Sequence, residues 1–173
     1  MKAGYIDFGE HEGKTLEEIC FKDFPYVDWI LREVEANRWE VNRWVIGHLE
    51  HLFDVARAKS VRGPCAGDET YKTNCRRAPD TFSIPEYRGR ASPGIAWRIC
   101  SDPYCQNEVL REAHGGIVLY EISFEGFRDF VRRFRTEGEA KDFGIQLVKA
   151  WGIVGPKERL TKKRIFEFFG VEK

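Results

Sequence analysis

The stretch DFGEHEGKTLEEI, residues 7–19, decides which fold class the chain can adopt. Read as a phosphate-binding P-loop, GEHEGKT would demand a buried parallel strand before it and a nucleotide-binding α/β sheet around it. Such a loop places four residues between its first glycine and the Gly-Lys-Thr, so that successive backbone N–H groups curl around the phosphates. Here Gly9 and Gly13 enclose only Glu10, His11 and Glu12, and the two glutamates would face the anion. The segment ahead of Gly9 is too short for a buried strand, and no later stretch offers a strand ending in a magnesium-binding aspartate. The glycines therefore read as a tight turn, and a P-loop with its parallel sheet is excluded.

Outward from that turn, Ala3–Phe8 reads as a short strand, and Thr15 opens a helix with a capping box, since Glu18 lies three residues on. DFPYVDWILREVE starts a second helix, with Asp23 ahead of it and Pro25 in its first turn. A third, through RWEVNRWVIGHLEHLFDVARAK, carries a broad apolar stripe that includes Trp39, Val41, Val45, Leu49 and Leu52, and Gly63-Pro64 ends it. From Gly63 to Glu108 the chain turns rich in Gly, Pro, Arg and Cys, which predicts loops and short strands held by something other than a large core. IVLYEIS reads as a strand. FEGFRDFVRRF, AKDFGIQLVKAW and TKKRIFEFFG read as helices, the last ended by Gly170. The expected class is α+β: helices around small strands, with a zinc-stapled loop-and-strand subdomain at 61–107 between segments 1–60 and 108–173.

With 42% hydrophobic and 14% aromatic residues, 173 residues can build a sizeable core. Formal charge is zero overall, but residues 1–60 carry −4 and the two later segments +2 each. Bulk charge thus permits a nucleic-acid partner locally without demanding one. No apolar run approaches the ~20 residues that cross a bilayer, and the start shows no signal-peptide apolar region. The expectation is a cytoplasmic protein without a membrane partner.

Four of the five cysteines fall in the middle segment, spaced Cys65-x9-Cys75-x24-Cys100-x4-Cys105. In a reducing compartment such a cluster reads as metal ligands before disulfides. Four thiolates complete a tetrahedral zinc and leave it no open position, so the metal would be structural, as in zinc-finger-like modules. In CSDPYC, Asp102-Pro103 bends the chain between two ligands. The alternative is a chance cluster of ordinary thiols. Cys20, beside an apolar helix, reads as a core residue.

FGEHEGKTLEEI followed by DFPYVDWIL resembles the small C-terminal domain of exodeoxyribonuclease X-like proteins, also found as a stand-alone domain in bacterial and phage proteins. Phe8, Gly9, Gly13, Lys14, Thr15, Leu16, Glu17 and Glu18, then Asp23, Tyr26, Trp29 and Leu31, match the pattern. The resemblance covers under a fifth of the chain and implies work on or near DNA, as an accessory binding piece without the nuclease centre. Glu10 and Glu12 replace the family's two turn lysines, which leaves phosphate contact at the turn to Lys14 and His11.

Lys72, Arg76, Arg77, Arg88, Arg90 and Arg98 interleave with Tyr71, Phe82, Tyr87 and Trp97. That chemistry grips phosphates while stacking on bases, or else solubilises a small zinc module around an aromatic mini-core. Arg128, Arg132, Arg133 and Arg135 read as the polar side of a helix. His48, His51 and Asp54 share a helical stripe that could seat a metal but lacks the His-Glu-x-x-His spacing. Asp129 with Glu139 and Lys141 only faintly imitates a magnesium-nuclease set, on helical sequence. No nucleophile elbow is present. The expected function is a non-catalytic, zinc-containing nucleic-acid-binding accessory protein, DNA before RNA. An adaptor docking a protein partner comes next, and a metal-dependent nuclease last.

Overall fold

A computed structural model of the chain describes residues 1–38, 43–71, 75–87, 90–91, 97–112, 116–134, 136–155 and 158–172. The protein is α+β, with eight α-helices and a four-stranded antiparallel sheet among the described residues.

The opening turn forms as the glycines require. Gly9 and Gly13 take φ +67° and +78° on either side of a single 3-10 turn, and Gly13 donates to the Ile6 carbonyl at 2.8 Å. In place of the expected strand there is one antiparallel bridge, Tyr5 to Thr15. Thr15 caps α1 (Leu16–Lys22): its Oγ1 accepts from the Glu18 N–H, the first half of the expected capping box, while the Glu18 carboxylate accepts from the Thr15 hydroxyl. α2 (Phe24–Glu35) has proline in its first turn, and α3 (Arg43–Arg57) carries the long apolar stripe. Trp39 and Val41 of that stripe lie outside the described residues.

After α4 (Ala66–Tyr71) the sheet begins. β1 (Thr81–Tyr87) is its spine, with β4 (Gly116–Glu121) along one edge from Thr81 to Glu86. β2 (Arg90–Ala91) pairs with Glu86–Tyr87, and β3 (Trp97–Ile99) with Thr81–Ser83. α5 (Pro103–Glu112) connects β3 to β4. α6 (Phe124–Arg133), α7 (Glu137–Ala150) and α8 (Lys162–Phe169) complete the chain, and α8 ends at Gly170 with φ +68°.

The pleat alternates the sheet between two layers. Phe82 and Ile84, with Tyr120 and Val118 opposite them, face the main core. That core is filled from α1, α2, α3, α6, α7 and α8, with rings such as Phe24, Phe127 and Phe143 stacked 4.2 and 4.9 Å apart in sequence. Ser83 and Pro85, opposite Leu119 and Ile117, face the other way. There Ile99, Val109 of α5 and the cysteines form a second, smaller cluster. Cys20 is buried in the main core, apart from the other four, as its apolar setting predicts. The chain closes on itself: the Met1 amino group donates to the Gly170 carbonyl at 3.2 Å, and Glu172 N–H to the Met1 carbonyl at 2.9 Å.

Candidate metal centre and its basic surround

Three of the four cysteines are placed by the end of a regular element, and Cys75 lies in the segment between α4 and β1. Cys65 precedes α4, its carbonyl accepting from Asp68 and Glu69 at 3.0 and 3.1 Å. Cys100 follows β3. Asp102 then caps α5, its Oδ1 accepting from Tyr104 N–H at 2.9 Å, and Pro103 occupies the first helical position. Cys105 therefore points from the first turn of α5, which is what the bend expected of CSDPYC provides. The x4 spacing is the length of that strand-to-helix step.

The four sulfurs of Cys65, Cys75, Cys100 and Cys105 all lie within 4.8 Å of one another. Cys75 Sγ and Cys100 Sγ are 3.2 Å apart, and none of the four cysteines is in a disulfide. A tetrahedron with metal–sulfur bonds of about 2.3 Å has edges of about 3.8 Å, so the donor set fits a zinc-sized cation with small adjustments. Backbone donors also face the sulfurs. Cys100 N–H donates to Cys65 Sγ at 3.3 Å. The Arg77 N–H lowers the Cys75 thiol below its ordinary value, with the Cys100 thiol next in effect. Burial pushes Cys100 well up, while the Asp102 N–H works against it. α4 comes this close because residue 67 is glycine: a Cβ there would sit 2.7 Å from Cys105 Sγ and 2.8 Å from its Cβ.

The basic residues do not all gather at this site. Arg76 and Arg77 follow Cys75 and are exposed, with Arg77 Nη1 3.8 Å from Asp102 Oδ2. Trp97 on β3 is 41% exposed. Arg98, one residue on, pairs with Phe82 and so lies on the opposite sheet face, where its Nη1 donates to the Arg62 carbonyl at 2.6 Å. Arg90 is exposed on β2. Lys72 and Arg88 lie outside the described residues, as do Arg135 and His114. Lys14 is exposed in the opening turn, its Nζ 2.8 Å from His11 Nδ1.

Several other candidates have different partners from those their spacing offered. His48 Nε2 meets the fully buried Glu17 at 2.7 Å, and His51 is exposed. Glu139 lies on α7, its N–H capped by the Thr136 side chain and its carboxylate accepting from the Thr136 hydroxyl and from Ala91 N–H. Arg128 and Arg132 converge on Asp28, which is 1% exposed, through Nε atoms at 3.0 and 3.4 Å. Arg32 Nε pairs with its other oxygen at 2.9 Å. Burial alone would raise the carboxyl of Glu17, but the His48 and Gly4 hydrogen bonds hold it below its ordinary range. A set not singled out by spacing also forms: Glu10, His11 and Asp23 bring donor atoms within 4.8 Å, with His11 Nε2 on Asp23 Oδ2 at 2.7 Å. Asp23 lies a helix away in sequence, so no local pattern announces it.

No known protein family, curated protein or solved structure matches this chain. Among the described residues no helix is long and apolar enough to cross a membrane.

Proposed function

We propose that the chain is a nucleic-acid-binding accessory protein whose middle segment is stapled by one structural zinc on Cys65, Cys75, Cys100 and Cys105. The observation that carries the metal is the convergence within 4.8 Å of four sulfurs, three from element ends and that of Cys75 from the segment between α4 and β1. Four thiolate ligands leave zinc no open position, so it would hold structure and not activate water. The small cluster beneath it has few apolar residues of its own, and a metal supplies what such a cluster lacks.

Nucleic-acid binding is supported by Arg76 and Arg77, exposed beside one ligand, and by Trp97, exposed on the strand that leads to another. Guanidinium groups pair with phosphates and an indole stacks on a base. DNA in preference to RNA rests on the resemblance of the opening residues alone. A protein partner is the second reading, favoured by Tyr104 and Leu110, 60% and 42% exposed on α5.

Elemental mass spectrometry of protein purified without chelator is the first test, with about one zinc per chain expected. Absence of metal would end the structural-zinc reading. Oligonucleotide binding should then weaken steeply with salt, and Arg76→Ala with Arg77→Ala should reduce the slope of log K against log salt by about one contact each. A zinc-loaded protein that ignores single- and double-stranded DNA and RNA would leave the adaptor reading standing.

A further inference from the structure

A cleft of about 400 Å³ opens where the chain leaves α3 and α7 and passes α8. Its floor is Trp151, Ile153 and Phe168, and its charged side chains are Lys59, Arg62, Arg164 and Glu167. Two of those four are answered, Arg164 Nη2 by Glu158 at 2.8 Å and Glu167 by Lys163 at 3.8 Å. Lys59 and Arg62 are exposed, and neither forms an ion pair among the described residues. Arg98 joins them from β3, half-buried, its Nη1 on the Arg62 carbonyl and likewise without a carboxylate among the described residues. Arg57, one turn before Ser60, is instead held by Asp54 and Glu125.

The two arginines are fixed by close backbone contacts. Gly152 takes φ +62°, and a Cβ there would stand 2.4 Å from Arg62 Cδ, so the Arg62 stem lies directly on the chain. A Cβ on Gly63 would stand 3.1 and 3.2 Å from the terminal nitrogens of Arg98. The end of α7 does not use the Arg62 guanidinium as a cap. Its last carbonyls take backbone N–H groups, Leu147 from Trp151, Val148 from Ile153, Lys149 from Gly152 and Ala150 from Arg62 itself. Pinned stems with open, uncompensated heads favour an anion.

Placement narrows which anion. Arg98 lies against residues 62–63, Arg62 lies on the turn after α7, and Lys59 Nζ sits 5.4 Å from the Phe168 ring of α8. Cations held against three different segments suit a chain of repeating charges better than one small ion. β3 pairs only with β1 among the described strands, so its other edge is open. Trp97 and Arg98 are successive there and face opposite ways, which brings the cleft and the exposed indole to the two faces of one edge strand.

We propose that this cleft carries the phosphodiester backbone of a nucleic acid that rounds the open edge of β3. Lys59, Arg62 and Arg98 contact phosphates on one face, and Trp97 stacks on a base on the other. This rests on the nucleic-acid reading above and extends it to Lys59 and Arg62, which no motif singles out.

Fluorescence anisotropy with labelled single- and double-stranded DNA and RNA oligonucleotides tests it across a salt series. Lys59→Ala, Arg62→Ala and Arg98→Ala together should lower the slope of log K against log salt by about two to three, beyond any change made by Arg76→Ala with Arg77→Ala. Acetylation footprinting of the unmodified protein gives a readout that needs no variant to fold. Bound oligonucleotide should shield Lys59 and leave Lys141, exposed on α7, reactive. A parent protein that binds no oligonucleotide overturns this proposal together with the nucleic-acid reading. A parent that binds, with Lys59 unshielded or the slope unchanged in the folded triple variant, overturns this proposal alone. Poly-L-glutamate displacing the oligonucleotide at equal charge also overturns it, in favour of an acidic protein.

Discussion

Gly67→Ala sets two effects of opposite sign against each other at the cysteine centre. Gly67 is buried inside α4, and an alanine in a helix is worth about 0.8–1.0 kcal/mol over glycine. Against this, the new methyl would stand 2.7 Å from Cys105 Sγ, 2.8 Å from Cys105 Cβ and 3.3 Å from its Cα. The sulfur could swing aside, but the Cβ and Cα cannot move without α5. Overpacking of this kind costs typically about 1–3 kcal/mol, and two contacts below van der Waals distance place it at about 2–3. Both effects act with or without metal, but relieving the clash moves α4 from α5 and so Cys65 from Cys105, which also puts it on metal affinity. Zinc binding should weaken roughly 30- to 150-fold. Competition against a chromogenic zinc chelator measures it directly. Thermal unfolding should show the variant less stable than the parent, with the larger loss when loaded than when stripped. Gly47→Ala on α3, where a Cβ would meet nothing within 4 Å, isolates the helix term. An unchanged zinc affinity for Gly67→Ala would refute the reasoning, because it would mean that α4 and α5 have slack where the structure places contact.

Asp28→Ala removes the carboxylate that gathers Arg32, Arg128 and Arg132. Arg32 and Arg132 are nearly half exposed and can rehydrate while Arg128 cannot, so the loss should be about 3 kcal/mol, a melting-temperature fall of roughly 6–12 °C. Gly126→Ala would drive a methyl into the Glu121 backbone at the first turn of α6. It should cost more than Asp28→Ala or prevent folding, as read by expression and circular dichroism. Glu17 titrates below its ordinary value of 4.5 in the folded chain, so the fold takes up its proton less readily than the unfolded chain does. Its stabilisation is fully present above about pH 4.5 and is lost as the pH falls through the folded-state value. Glu17→Gln should flatten that acid limb in urea titrations, and an unchanged limb would remove Glu17 from the account.

The local punctuation was legible because its causes are local. Gly9 and Gly13, the Thr15–Glu18 cap, the proline of α2 and the glycine after α8 each act within four residues of themselves. The cysteine set was legible by count, because four thiols in a segment poor in apolar residues have few other uses. What stayed hidden depends on distant partners. Arg128 and Arg132 read as the polar side of a helix, and nothing near them in sequence points to Asp28, a hundred residues earlier. His48 matched a metal-seating stripe on its own helix, yet Glu17 of α1 claims it. α4, AGDETY, has no apolar period to announce it; its glycine fits it against α5. Trp97 and Arg98 look like one basic–aromatic patch in sequence, but adjacent residues of a strand face opposite ways.

The contact between the first residue and the last turn has a use in engineering. A few polar residues could join Met1 to the end of the chain, and new ends could be opened at the exposed Lys59–Ser60 stretch beyond α3. In such a circular permutant the cysteine-bearing half would leave the ribosome before α1, α2 and α3 instead of after them. Whether it then captures metal during synthesis would tell whether the thiol cluster assembles on its own sheet or waits for the aromatic core.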